Sequence, residues 1–171
     1  MTRRPIPITR HISLIYRYAQ RFLSGRLRDF PLEAGQLPLM LQLNRYPGVT
    51  QEQLAQRLAI DKGTAARGVA QLEKNGLVER REDPADRRAY RLAPTSRALS
   101  LEEPLFAITD LLQETLFEGM NDDERRQSAA LVLRMAQNLA AYFDEHPTCA
   151  ARRGASEPEP DARSEEGKPQ L

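Results

Sequence analysis

Cysteine, histidine and long apolar runs are all scarce in this 171-residue chain, and each scarcity removes a class of answer. The single cysteine, Cys149, has no internal partner, so no disulfide framework staples the fold. The two histidines, His11 and His146, are too far apart in sequence for any zinc-ligand spacing, and no metal site is expected. No stretch approaches the roughly 18 to 20 apolar residues needed to cross a bilayer. The opening MTRRPIPITRHISLIYR lacks the apolar core and small-residue cleavage site of a secretory signal. A soluble, cytoplasmic protein that makes no use of a membrane is the expectation. Nucleophile motifs and glycine-rich phosphate loops are missing too, which leaves enzymatic catalysis without support and gives no reason to expect a cofactor.

What the chain does have is an uneven distribution of charge. Residues 1–97 carry 18 Lys and Arg against 9 Asp and Glu, a net of +9, whereas residues 98–171 carry 7 against 15, a net of −8. Such asymmetry fits a polyanion-binding part joined to a part with another task, and it also fits a solvated helical surface that is merely uneven. The motifs decide between the two.

Apolar residues at 8, 12, 15, 19 and 22 recur at helical spacing among arginines, so Ile8 to about Leu27 reads as one amphipathic helix. A second helix is expected from Glu33 to Arg45, ended by Pro47-Gly48. Thr50 followed by Gln53 is a capping box for a short helix from Gln51 to Leu58, with Leu54, Ala55 and Leu58 facing inward. After the tight connection Ala59-Ile60, Asp61 is the right residue type to cap a further helix, Lys62 to Asn75, which Gly76 closes. Ala65, Val69 and Leu72 form its inward stripe; Lys62, Gly63, Thr64, Arg67 and then Gln71 or Lys74 occupy the other face, small or able to donate hydrogen bonds.

Leu77 to Arg81 and Ala89 to Leu92 read as two short strands around a charged loop, Glu82 to Arg88. Helical spacing resumes from Thr95 and again from Asp122, where Asn121 and Glu124 suggest another capping box. Pro104 either kinks the first of these helices or marks a restart after Ser100. Residues 147–171, rich in Pro, Glu, Ser and Gly, read as a disordered tail. The fold expected is mainly α with a small β-hairpin wing: a winged helix-turn-helix over 33–97, with 5–30 and 98–145 forming a helical dimerisation region.

The stretch TQEQLAQRLAIDKGTAARGVAQLEKNGLVERREDPADRRAYRLAPTSRAL resembles the multiple-antibiotic-resistance regulator (MarR) family. The run Asn75 to Arg80 followed by Asp83 to Arg88 carries most of the likeness, with a weaker match at Gly119 to Arg125 and overall reach from Ile8 to Phe143. Departures include Ala93-Pro94-Thr95-Ser96 where the family usually has Thr-x-x-Gly, and Gly63 and Ala66 where hydroxyl residues are common. The resemblance implies a dimeric winged-helix repressor that responds to small molecules.

Phosphate neutralisation supplies most DNA affinity and base-edge contacts supply specificity, so different residues are expected for each. Thr50, Gln51 and Gln53 start a helix suited to holding phosphates. Lys62, Thr64 and Arg67 lie on the first turns of the recognition helix, with Gly63 between them. Arg67 offers a planar fork to guanine or, alternatively, pairs with a phosphate. By resemblance, Arg88 enters the minor groove, Asp86 orients it, and Arg87 or Arg81 meets phosphates. Ile8, Ile12, Ile15 and Phe22, with Leu133, Leu139 and Phe143, are long stripes suited to pairing two subunits. The family likeness alone places an effector pocket for a phenolic or aromatic molecule where dimer helices meet the DNA-binding lobe, with His11, Tyr16, Arg17 and Tyr46 as candidate lining. A rival reading is a winged-helix adaptor that binds a protein partner through the acidic C-terminal part and no operator.

Overall fold

The computed structural model describes residues 7–83 and 90–146. These fall into two units, one ending at Glu118 and the other beginning at Gly119. The first unit contains α1 (Ile8–Arg26), α2 (Leu37–Arg45), β1 (Val49–Thr50), α3 (Gln51–Arg57), α4 (Lys62–Lys74), β2 (Val78–Glu82), β3 (Tyr90–Pro94), α5 (Ser96–Ser100) and α6 (Glu102–Leu116). The second contains α7 (Asp122–Glu145). Helix, turn, helix and antiparallel hairpin follow in the expected order, and the fold is a winged helix-turn-helix.

Three details differ from the expectation or resolve it. The second helix begins at Leu37 rather than Glu33, because Pro38 has no N–H to give and its ring would strike the carbonyl four residues back if the helix ran on. Residues 33–36 form a turn instead, in which the Glu33 N–H donates to Gln36 Oε1 at 3.0 Å. A third strand, β1, was not anticipated, since two residues carry no periodicity. It pairs antiparallel with β3 (Val49 opposite Leu92, Thr50 opposite Arg91), giving a sheet ordered β1-β3-β2. At Pro104 the chain restarts: α5 stops at Ser100 and α6 begins at Glu102, placing the proline in a first turn, where its missing N–H is not needed.

The core of the first unit draws Met40 and Leu43 from α2, Leu54 from α3, Val69 and Leu72 from α4, Leu77, Leu92 from β3 and Leu105 from α6, all fully buried. Each such burial contributes roughly 1.5–3 kcal/mol, so the helix-turn-helix and the hairpin share one stabilising interior. The hairpin pairs Val78 with Pro94 through Glu82 with Tyr90. Its base is tied to the end of α4. Thr95 donates its N–H to Leu77 O at 3.0 Å and its hydroxyl to Gly76 O at 2.8 Å, while Arg97 Nη1 donates to Asn75 O at 3.0 Å. Thr95 Oγ1 also accepts the Ala98 N–H at 3.2 Å and so caps the next helix.

In the second unit, Asn121 and Glu124 form the expected reciprocal cap, with side-chain to backbone bonds of 2.9 and 3.0 Å. The α7 helix it starts carries Leu131, Val132, Leu133, Leu139, Tyr142 and Phe143, all exposed.

Candidate nucleic-acid interface

Two short helices crossing at a tight turn create the candidate site. Thr50 Oγ1 accepts the Gln53 N–H at 3.2 Å, and Gln53 Oε1 accepts the Thr50 N–H at 2.9 Å, so both side chains are engaged in fixing the start of α3. The helix ends in a Schellman turn: Ala59 N–H donates to Gln56 O and Ile60 N–H to Ala55 O, each at 3.1 Å. Ala59 takes the left-handed position at φ 51°, which a residue with a Cβ adopts at a cost of about 1 kcal/mol. That sharp reversal separates α3 from α4.

Asp61 caps α4. Its Oδ1 accepts the Thr64 N–H at 2.8 Å and its Oδ2 accepts the Thr64 hydroxyl at 2.6 Å, while Arg67 Nη2 donates to Thr64 Oγ1 at 3.0 Å. The Thr64 hydroxyl, then its N–H, hold the Asp61 carboxyl below its ordinary value. A Cβ on Gly63 would lie 3.2 Å from Asp61 Oδ1 and 3.4 Å from Arg67 Nη1, so glycine leaves room for this relay where a larger residue would crowd it. Lys62 Nζ sits 2.8 Å from Glu52, whose carboxyl it lowers through a hydrogen bond and its charge. Both groups of that pair are exposed, and such bridges are worth under about 1 kcal/mol, so the ammonium can leave Glu52 at little cost.

Lys62, Gly63, Thr64 and Arg67 are all exposed on one side of α4, opposite the buried Ala65, Val69 and Leu72. Arg81 stands exposed on β2, with its Nε 2.9 Å from Glu79 two residues away on the same face. Gln51 reaches toward the hairpin, its Oε1 3.4 Å from Arg80 Nη2. Asp86, Arg87 and Arg88 lie outside the described residues, as do Ala89 and the tail with Cys149.

The four candidate effector residues do not line one cleft in this chain. His11 lines an apolar groove of about 360 Å³ between α1 and α6, with Leu14, Tyr18, Leu112 and Leu116. Tyr16 and Arg17 are exposed on α1. Tyr46 lies in a separate cleft beside α3, its ring under Arg57 at 4.2 Å and Arg45 at 5.6 Å.

Two structural residues escaped the sequence reading. Arg80 on β2 places Nε 2.8 Å from Glu73 on α4, lashing hairpin to recognition helix; its alternation with Arg81 was the available signal, since neighbours on a strand face opposite sides. Asp83, within what read as a charged loop, is only 6% exposed. Its carboxylate receives Arg91 Nε at 2.8 Å, and Arg91 Nη1 donates to Gly48 O at 3.0 Å. The root of the wing is thus pinned to β3 and to the turn before β1.

Known proteins share this fold. A family model described as MarR family matches residues 30–89. A MarR transcriptional regulator from Methanosarcina mazei Go1 is 34% identical, with a TM-score of 0.74 over 79% of this chain and 97% of that one. The uncharacterized HTH-type transcriptional regulator YybA of Bacillus subtilis is 26% identical over 77% of this chain and 88% of its own length. A MarR-family regulator from Listeria monocytogenes, solved with a 26mer DNA, shares the fold at a TM-score of 0.78 and 21% identity, over 90% of this chain and 99% of that one. At 34% identity to the Methanosarcina regulator across nearly all of that protein, this chain belongs to the MarR family of winged-helix transcriptional regulators.

Proposed function

We propose that the chain is a homodimeric repressor acting in the cytoplasm, by binding rather than catalysis, on a pseudo-palindromic operator that a small effector releases. The observation that carries the reading is the face of α4, where Lys62, Thr64 and Arg67 stand exposed on the first turns, the part of a helix-turn-helix that docks deepest in the major groove. Thr50, Gln51 and Gln53 open α3 beside a phosphate track, and Arg81, Arg87 and Arg88, the last oriented by Asp86, serve the wing. The DNA-bound Listeria relative supports a duplex as the partner.

Pairing of subunits is supported by apolar residues left in water. Ile8, Ile12 and Ile15 on α1 are 56, 45 and 51% exposed, and α7 carries its own exposed stripe. Faces of this size mark interaction surfaces, and two lobes joined by a twofold axis place their reader helices about one turn of DNA apart. For the effector, DNA binding by BpsR of Bordetella bronchiseptica is regulated by 6-hydroxynicotinic acid; a phenolic or aromatic acid near His11, Tyr16, Arg17 or Tyr46 is the corresponding reading here.

A gel-shift titration across salt concentration, run beside light scattering, tests the proposal. A dimer whose duplex affinity falls steeply as salt rises is expected, because displaced counterions set the slope. A monomer, or no complex in dilute salt, overturns it.

A further inference from the structure

We infer that the cleft around Tyr46 is a binding site for a phosphate group. It has a volume of about 600 Å³, opens between the end of α2, β1 and α3, and is lined by Arg45, Arg57 and Arg91 with no acidic residue among its lining. Two guanidinium groups lie over the single Tyr46 ring, Arg57 at 4.2 Å and Arg45 at 5.6 Å from its centre. Among the described residues neither of these two arginines has a carboxylate partner, in contrast to Arg80, Arg81, Arg91 and Arg126, which all do. Like charges gathered on one ring repel each other, and the aromatic face offsets that only in part. An oxyanion bound in the cleft offsets that repulsion, and its oxygens suit the planar donor forks of guanidinium groups.

The backbone around the cleft is fixed. Arg91 is held by Asp83 and by Gly48 O, and the Gly48 N–H donates to Leu92 O at 2.8 Å, so the third cation and the floor arrive already positioned. Gln53 and Gln56 of α3 add neutral hydrogen-bonding groups at the rim. A phosphate here comes from one of two sources, the DNA backbone continuing past the start of α3, or a free phosphorylated small molecule. The inference of an anion site depends on neither the operator nor the effector proposed above.

The test uses the full chain and the double variant Arg45→Gln/Arg57→Gln, with Arg57→Lys as a charge-preserving control and circular dichroism to confirm folding. Thermal midpoints are measured against inorganic phosphate at constant ionic strength set with chloride. Phosphate should raise the midpoint of the wild type more than that of the double variant, with Arg57→Lys in between. In parallel, the slope of log affinity against log salt is measured on a duplex. A slope shallower by about 0.9 in the double variant assigns the phosphate to DNA, since one released contact changes it by that amount. An unchanged slope with the phosphate effect intact assigns it to a free molecule. Equal midpoint shifts in wild type and double variant together with equal slopes overturn the site.

Discussion

Leu39 on α2 occupies the space a side chain on Gly68 of α4 would need: a Cβ there would lie 2.3 Å from Leu39 Cδ1. Glycine costs a helix interior about 1 kcal/mol relative to alanine, so propensity alone favours Gly68→Ala. Leu39 is buried, and forcing an added carbon into a packed interior costs typically about 1–3 kcal/mol. The strain wins, and Gly68→Ala should lower the urea midpoint. A higher midpoint would show that Leu39 repacks freely.

Arg67→Ala should relax base preference, whereas Arg88→Ala should weaken binding mainly at A·T-rich flanks. A bidentate arginine to guanine is worth about 1–3 kcal/mol of discrimination, or roughly five- to 160-fold between the right and wrong base. Selection of bound sequences from a random duplex library, repeated with each variant, separates the two effects. Identical selected sequences and affinities in wild type and both variants would remove these roles.

Asp83→Ala should destabilise the hairpin and reduce duplex affinity together. Breaking a fully buried ion pair costs about 3–5 kcal/mol. Arg91 is 42% exposed on its side chain, so water screens part of the pair, and a loss nearer 1–2 kcal/mol is expected. Chemical denaturation and gel shift at fixed salt read the two consequences. Lost affinity without lost stability would place Asp83 at the DNA instead of at the wing root.

Acid should loosen the start of α4. The Asp61 carboxyl titrates below its ordinary 3.8 because Thr64 hydrogen-bonds the charged form, and Glu52 titrates below 4.5 because Lys62 does likewise. For carboxyls with depressed folded values, the stabilisation is complete above the unfolded value and disappears as pH falls through the folded one. Between pH 7 and 5 nothing should change; below about pH 4 the wild type should lose stability faster than Asp61→Asn, which keeps an acceptor for the Thr64 N–H but does not titrate. Parallel urea midpoints for the two proteins down to pH 3 would rule out the Asp61 contribution.

Much of this architecture was legible because local chemistry and tertiary packing agree. Thr50 with Gln53, Asp61 and Gly76 announce helix ends by hydrogen-bond capacity and backbone freedom, and Asn121 with Glu124 does the same. Val49–Thr50 was invisible, since its pairing depends on a partner some forty residues away rather than on any pattern of its own. Asp83 looked like one more surface charge until Arg91 was folded against it. Gly68 lies in a helix interior, where glycine is unfavourable; only the proximity of Leu39 shows what the missing side chain permits. In the candidate site, side chains on α4 were readable from helical phase, whereas the arginine pair over Tyr46 joins residues from different elements and has no linear signature.

The hydrogen bonds from Thr95 and Arg97 to the carbonyls of Asn75, Gly76 and Leu77, the residues that close α4, have a mechanical consequence. With Arg80 also paired to Glu73 of α4, the base of the hairpin is held to that helix at several points, so a displacement of α4 is carried directly into β2 and β3.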